Sequence, residues 1–181
     1  FTIAEDKSYP PFLSNSFKNL LVETTRERKM LSNTVVPRDP IYMAFGLGMS
    51  NSSTLTLDIL NNTSLYVVRE TNNKINKNTI KARVSSSIKS FFATANNKLG
   101  QNLALTELMR DILSLEGVRR IYTKNDNDGS TIDTISFLSF NPIYETSDIT
   151  LVNQDITLPY FKFPYLYSPL TVADRIKVID E

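Results

Sequence analysis

The sequence predicts an α+β fold in which amphipathic helices pack on a small, mostly antiparallel sheet, with an extended aromatic segment at the C-terminal end. Three observations lead to this class. Residues 80–92 carry apolar side chains at helical spacing. Short β-rich runs bounded by turn residues, such as 41–49 and 64–69, are typical of strands. Two prolines among the aromatic residues of 159–167 favour an edge strand or an extended arm there.

Residues 1–40 are predicted to be a helical segment that continues from a part of the protein further upstream. The chain begins at Phe1 instead of a methionine, so we expect it to be a piece of a longer protein. Within residues 10–31, Leu and Phe recur at helix-like spacing around a charged stretch from Glu23 to Lys29, which we interpret as a solvent-facing helix surface.

Residues 41–142 are predicted to form the α+β core, beginning with two strands. Residues 41–49 are apolar, short and bounded by turn residues, which indicates a buried strand, and residues 64–69 are predicted to be a second strand. The stretch 51–63 between them is rich in Asn, Ser and Thr, so we expect a loop with some strand at 55–57.

The clearest periodicity in the chain belongs to a helix that we expect to follow residue 78. Asn78 or Thr79 can cap its first turn, because a short side-chain oxygen accepts hydrogen bonds from the free N–H groups there. A second helix is expected to begin with Thr106 as its N-cap, and Gly117 suits the left-handed position that follows a helix. The apolar stripe of the first helix has five members: Ile80, Val84, Ile88, Phe91 and Phe92.

Residues 118–140 are predicted to form a β-hairpin, because two β-rich stretches flank a strong turn at residues 125–129. Two other stretches complete the secondary-structure prediction. Residues 143–158 are mixed in character and are expected to be loop, and residues 175–179 are expected to form a short final strand.

Residues 143–181 together are predicted to be an extended or β segment that makes a subunit contact. If residues 160–167 form one edge strand, one face of that strand is continuously aromatic. The side chains of this face are the candidate protein-contact residues Phe161, Phe163, Tyr165 and Tyr167. Tyr and Phe bury a large area at low entropic cost, as subunit contacts require. The alternative is that this face closes the core of the domain itself.

Two short motifs resemble ligand-binding loops, and both lack required residues. Gly46 and Gly48 could begin a dinucleotide-binding loop, but Asn51 stands where the third glycine is needed, so we interpret the pair as letting the backbone bend. The turn at 125–129 resembles part of a calcium loop. The last position of that loop falls on Ile135, where a bidentate glutamate is required, so we interpret the turn as a hairpin tip.

Composition removes most catalytic and metal chemistry. The chain has no histidine, cysteine or tryptophan, which excludes disulfides, thiolate metal sites and mechanisms of the Ser-His or Cys-His type. We therefore expect no enzyme, no catalytic residues, no cofactor and no metal. A glycosidase that uses a pair of carboxylates stays open as a third and weaker function, although nothing in the sequence marks two acids as sharing a cleft.

Charge and hydropathy favour neither nucleic acid nor a membrane as a partner. The 20 basic and 19 acidic residues nearly cancel, which leaves no electrostatic footprint for DNA or an anionic bilayer. No apolar run approaches the roughly 20 residues that a membrane-spanning helix needs. The composition therefore favours a structural or assembly role.

The order of elements over residues 80–140 resembles the baseplate J-like family of phage tail proteins. An amphipathic helix ends in a polar loop with Gly100, a small-polar segment starts a second helix, and Gly117-Val118 leads into a hairpin. The stretches 135–142 and 154–165 are similar to the C-terminal part of the large wedge protein of T-even-like contractile tails.

The resemblance implies a structural subunit of a baseplate wedge that forms the inner ring around the central hub. Neighbouring copies would contact one another through their C-terminal regions, in dimer contacts within the ring, and other wedge subunits would attach elsewhere. These contacts would rearrange when the sheath contracts. The implied location is the virion, after assembly in the host cytoplasm, and the family supplies no catalytic residues.

An alternative function from a different class is a receptor- or glycan-binding module of a virion or cell surface. Stacked aromatic side chains and the Asn-rich stretch 51–63 would then contact sugars.

Overall fold

A computed structural model describes residues 14–26, 36–71, 73–93, 99–100, 102–142, 149–168 and 171–180 of the chain. Within these residues the helices are α1 (Asn15–Arg26), α2 (Ile59–Asn62), α3 (Lys77–Phe91) and α4 (Leu105–Leu113). The strands are β1 (Ile41–Leu47), β2 (Thr63–Arg69), β3 (Asn102–Leu103), β4 (Val118–Asn125), β5 (Thr131–Ile132), β6 (Phe137–Phe140), β7 (Thr150–Val152), β8 (Ile156–Thr157), β9 (Lys162–Leu166) and β10 (Ile176–Asp180). None of the helices described is long and apolar enough to cross a bilayer.

The predicted α+β class with mostly antiparallel sheets is confirmed. Sheet A has the strand order β7-β6-β1-β9 and sheet B the order β10-β2-β4-β5, while β3 and β8 pair separately. Each four-stranded sheet includes one parallel pair, β1 with β9 and β2 with β10. The last strands of the chain therefore return beside its first two strands.

The C-terminal segment is part of both sheets. Strand β7 pairs with β6, β9 with β1 and β10 with β2. The predicted boundary at residue 142 therefore does not divide the sheets. Residues 143–158 were expected to be loop, and this is wrong for β7 and β8. Both strands are very short and take their stability from the strands they pair with, so their own sequence carries little signal.

The main hydrophobic core unites side chains from both sheets and from helices α3 and α4. Four members of the predicted stripe of α3 are buried there, and Phe91 is partly buried against it. Phe92 stacks on Phe45 of β1, with ring centroids 5.5 Å apart, and meets Phe137 of β6 edge-on at 5.3 Å. Phe92 thus packs the end of α3 against sheet A, while the helix itself contacts β10 of sheet B. The buried stripe confirms the periodicity read from the sequence.

The caps of both helices differ from the prediction. In α3 the cap is Asn76, whose side-chain oxygen accepts from the Asn78 N–H at 2.8 Å. Helix α4 begins at Leu105, and Ala104 at its N-cap offers no side-chain oxygen. Instead the carboxylate of Asp155, distant in sequence, accepts from the Thr106 N–H at 2.8 Å.

The predicted hairpin over 118–140 is correct only at its turn. Strand β5 pairs with β4, and Gly129 has the left-handed φ of 72° expected of such a turn. Strand β6, however, pairs with β1 in the other sheet. The chain crosses between the sheets at residues 133–136, where Ile135 and Ser136 are fully buried.

Two further expectations in the first half of the chain are corrected. Helix α2 precedes β2, and residues 55–57 form no strand. Gly46 and Gly48 have no left-handed φ, so they provide space instead of a bend. A Cβ at Gly48 would lie 2.6 Å from the Leu138 Cβ, and one at Gly46 would lie 2.6 Å from the end of the Leu60 side chain.

Helix α1 lies inside the predicted helix 10–31, and residues 1–13 and 27–35 lie outside the described part of the chain. Its Lys18 makes an ion pair with Asp39, just before β1. None of the described side chains of α1 is buried.

We expect Asp155→Ala to lower the free energy of unfolding by about 0.5–2 kcal/mol, because the first turn of α4 then loses its acceptor. Asp155→Asn keeps a side-chain oxygen and should retain most of that stability. Urea-induced unfolding of the two variants measures the difference. Equal stability of the alanine and asparagine variants would show that the carboxylate does not cap the helix.

Candidate protein-contact surface

The aromatic segment forms β9, the edge strand of sheet A, as predicted. It runs parallel to β1, with Tyr42 opposite Phe163 and Ala44 opposite Tyr165. The short apolar strand β1, buried on both faces, is what holds the segment in place.

Phe163 and Tyr165 lie beneath the surface. They are 8% and 4% exposed and form a second, smaller core with residues of β1 and β6. The Tyr42 ring meets both of them edge-on, at centroid distances of 6.0 and 6.2 Å. Tyr167 is half-buried, and its ring packs edge-on against Phe140 at 5.1 Å. These residues therefore anchor β9 to sheet A, as the core alternative predicted for this face.

An exposed apolar patch remains where the chain enters β9. Tyr160 is 82% and Phe161 43% exposed, and their rings meet edge-on at 5.3 Å. Ile41 and Leu99 are 41% and 53% exposed. We call these four side chains the aromatic patch.

Backbone contacts bring together the segments that carry these four side chains. The Ile41 N–H donates to the Phe161 carbonyl at 2.9 Å, and the Gly100 N–H donates to the Lys162 carbonyl at 3.3 Å. Gly100 lies so close to Tyr160 that a Cβ would sit 2.6 Å from the Tyr160 Cα, and its φ is left-handed at 67°. A glycine at this position therefore lets the segment that carries Leu99 approach the backbone of Tyr160.

Of the four predicted contact residues, Phe161 belongs to the aromatic patch, Tyr167 is half-exposed, and Phe163 and Tyr165 support the strand from below. The sequence argument missed Tyr160, because it treated residues 160–167 as one strand and placed Tyr160 on the other face. The structure has a turn at 160–161, closed by the Lys162 N–H donating to Pro159 at 2.9 Å, so strand alternation does not apply there. Leu99 had no local signal at all.

The outer edge of β9 offers few backbone groups to another strand. The Phe161 carbonyl and the Tyr167 N–H make hydrogen bonds to β1. Because backbone groups alternate along a parallel strand, those of residues 162, 164 and 166 point away from β1, toward the outer edge. Pro164 has no N–H, and the Lys162 carbonyl already accepts from Gly100. A partner would therefore be met through side chains of the aromatic patch, not by addition of a strand.

The outer face of sheet B carries a second pair of aromatic residues. Tyr66 and Tyr122 stack with centroids 5.1 Å apart and planes inclined by 7°. Lys177 lies 5.1 Å from the Tyr66 ring centroid, and Arg120 lies 5.8 Å from that of Tyr122. The ring faces are thus covered by each other and by cations.

Asp126 is the centre of a polar network on this face. Its carboxylate accepts from Lys177 at 2.8 Å, from Ser64 at 3.0 Å and from the Tyr66 hydroxyl at 3.1 Å. Partial burial opposes ionisation, but the hydrogen bonds from Lys177, Ser64 and Tyr66 outweigh it and lower the pKa of Asp126. The same hydrogen bond to Asp126 raises the pKa of Lys177.

The carboxylates with shifted pKa values are stabilised as anions. Hydrogen bonds from Ser130 lower the pKa of Asp128, and hydrogen bonding to Lys77 lowers that of Asp180. Among the residues that the structure describes, no group of three acidic side chains is placed to hold a metal ion.

Comparison of the chain with protein-family models and with curated proteins finds no match. The resemblance to the baseplate J-like family therefore rests on the residue pattern alone.

Replacing Phe163 and Phe161 separately should distinguish a residue of the core from an exposed residue that is a candidate for protein contact. Phe163→Ala should lower the free energy of unfolding by about 3–5 kcal/mol, because it leaves a cavity beside Tyr42 and Tyr165 in the second, smaller core. Phe161→Ala should change it by about 0.5 kcal/mol or less, since this ring is partly in solvent. Chemical denaturation of both variants gives the two values. Similar losses for both would contradict the division of β9 into anchor and patch.

The ionised Asp126 should make stability depend on pH in acid. Its folded pKa lies below the ordinary value of 3.8, so its contribution is complete above that value and disappears as the pH falls through the folded pKa. The thermal unfolding temperature of the unaltered chain should therefore fall more steeply with decreasing pH below about pH 4 than that of the Asp126→Asn variant. The Lys177→Met variant should likewise show a shallower fall of the unfolding temperature with decreasing pH than the unaltered chain. Parallel profiles for all three proteins would exclude Asp126 as a source of acid sensitivity.

Proposed function

We propose that this chain is a structural subunit of a contractile phage tail baseplate wedge, where it contacts other copies of itself and other wedge subunits. The aromatic patch is the observation that carries a contact function, because it presents large apolar side chains at one end of a buried strand. The resemblance over residues 80–142 and 154–165 supports the baseplate as the setting, with the virion as the location.

The architecture of the patch suits a protein contact. Tyr and Phe dominate the energetics of interfaces, since they bury much area with few rotatable bonds. The backbone beneath the patch is held by Phe163 and Tyr165, so little ordering is needed on binding. A patch of four side chains also supports a contact of limited strength, as a ring that rearranges on contraction requires.

Among the described aromatic residues, a glycan-binding module would use the exposed rings of Tyr160 and Phe161 or that of Phe17 on α1, since the ring faces of Tyr66 and Tyr122 are covered. Sugar sites combine an aromatic ring with polar groups that bind hydroxyls. The other members of the patch, Phe161, Ile41 and Leu99, have apolar side chains. The composition of the patch therefore favours a protein partner.

Light scattering over a wide concentration range tests the self-contact. We expect a concentration-dependent dimer, and we expect the double variant Tyr160→Ser, Phe161→Ser to weaken it by about 30-fold, as for an interface hot spot of about 2 kcal/mol. Tyr122→Ser, on the outer face of sheet B, is the matched control and should associate normally. A strict monomer at every concentration would contradict the self-contact.

The baseplate setting is tested separately. Antibodies against the chain should label the tail end of particles that contain it, in electron micrographs of intact and contracted tails. Screening the purified chain on a glycan array completes the comparison. Specific sugar binding that is lost in Tyr160→Ser would favour the alternative function.

A further inference from the structure

A pocket of about 240 Å³ opens where the parallel strands β1 and β9 end. Its lining comes from the end of β1, from helix α2, and from the segment that joins β9 to the one-turn helix Val172–Arg175. Leu47, Leu60 and Val172 supply the apolar part of this lining. Sites for drug-sized ligands begin at about 300 Å³, so the pocket suits a smaller molecule.

The pocket holds one positive charge, that of Arg175, among the described residues that line it. The Arg175 guanidinium donates to the Asn61 carbonyl, and to the Asn61 side-chain oxygen at 3.3 Å. Both acceptors are neutral, and no carboxylate in the described part of the chain forms an ion pair with Arg175. Asn61 thus orients the guanidinium without cancelling its charge, and three of its five N–H groups remain for an oxyanion.

The backbone of the pocket is strained at Ser168. This serine has a φ of 48°, and no other non-glycine residue in the described ranges has a positive φ. Hydrogen bonds hold it there: its carbonyl accepts from the N–H and the hydroxyl of Thr171, each at 3.0 Å, and the preceding Tyr167 N–H donates to the Phe45 carbonyl at 2.8 Å. Strain of this kind concentrates at ligand sites, because it fixes groups where a ligand needs them.

Three hydroxyl-bearing side chains complete the polar lining, those of Tyr167, Ser168 and Thr171. The Thr171 hydroxyl donates its hydrogen to the Ser168 carbonyl and keeps its lone pairs as acceptors. The hydroxyls of Tyr167 and Ser168 have no hydrogen-bond partner among the described residues. All three groups can therefore exchange hydrogen bonds with hydroxyls of a ligand.

We propose that this pocket binds a small hydroxylated carboxylic acid, with its carboxylate on Arg175 and its hydroxyls against Tyr167, Ser168 and Thr171. A carboxylate matches the guanidinium in geometry, since two oxygens meet two N–H groups, and in charge. A phosphate monoester carries about −1.5 to −2 charges, more than one guanidinium neutralises. The inference goes beyond the proposed function and does not depend on it, since the subunit contact uses the aromatic patch.

Four probes separate the parts of this recognition. Gluconate has the carboxylate and the hydroxyls, hexanoate has the carboxylate on a chain of equal length, sorbitol has the hydroxyls alone, and inorganic phosphate is the competing oxyanion. Each is titrated into the isotope-labelled chain while the amide signals of Asn61, Ser168 and Thr171 are followed by NMR. We expect saturable shifts with gluconate, and binding at least about tenfold weaker for the other three, because each lacks charge-assisted or hydroxyl hydrogen bonds or matching charge.

Three variants assign the binding to this pocket. Arg175→Gln should weaken gluconate binding by about tenfold or more, because it removes the charged donor. Arg110→Gln removes an exposed cation on α4 instead and is the matched control, with unchanged affinity expected. Ser168→Gly removes a hydroxyl and the strain together. It should weaken gluconate binding by about threefold, while the unfolding temperature stays the same or rises.

Gluconate binding that is lost in Arg175→Gln and kept in Arg110→Gln supports the site. Absence of saturable shifts at tens of millimolar gluconate overturns it, as does equal binding of hexanoate or sorbitol. Tighter binding of phosphate overturns the assignment to a carboxylic acid. If Arg175→Gln fails to fold, Ser168→Gly decides, because a purely structural serine would leave the affinity for gluconate unchanged. None of these results bears on the subunit contact, which light scattering tests.

Discussion

The two sheets are joined by a buried cluster of hydrogen bonds, and the remaining architecture depends on it. Beyond the end of β1, the Met49 N–H donates to the Thr63 hydroxyl at 3.0 Å, and the Met49 carbonyl accepts from the Asn125 amide at 2.7 Å. Where the chain crosses back, the Ser136 N–H donates to the Thr123 hydroxyl at 3.1 Å. Thr63, Thr123, Asn125 and Ser136 are all buried. Removing the side chain of Thr63, Thr123 or Asn125 would leave a buried polar group unpaired, at a cost of about 1–3 kcal/mol.

Strand β1 leads into this junction and also holds β9, the strand beside the aromatic patch. In sheet A, β1 has β6 on one side and β9 on the other. Tyr42 on β1 then meets Phe163 and Tyr165 edge-on, and the strand that leads out of the turn at Tyr160 is held from below. The aromatic patch thus sits on a packed edge strand whose outer side offers little to another strand. A partner that binds at this edge would therefore be met through side chains.

Local patterns predicted the elements that carry their own physical signal. The stripe from Ile80 to Phe92 is visible because a helix buries one face every turn, and β1 is visible because an apolar strand buried on both faces is short and continuous. The candidate site was predicted in part. Phe161 was found, Tyr160 was assigned to the wrong face because the turn before β9 breaks the alternation, and Leu99 was missed because a close approach at Gly100 brings it in from a distant segment.

The sequence by itself determined the α+β class, the helices around residues 80 and 108, and the buried strand β1. It also indicated the edge position of β9, the strand that contains Pro164. These follow from side-chain periodicity and from the missing N–H of proline, which are properties of neighbouring residues. Only the tertiary structure decided that β6 leaves its hairpin for sheet A, that Asp155 caps α4, and that Phe163 lies in the core while Tyr160 lies outside. Each of these depends on groups far apart in the chain, whose meeting is selected by burial and hydrogen bonding of the whole fold and leaves no trace in local sequence.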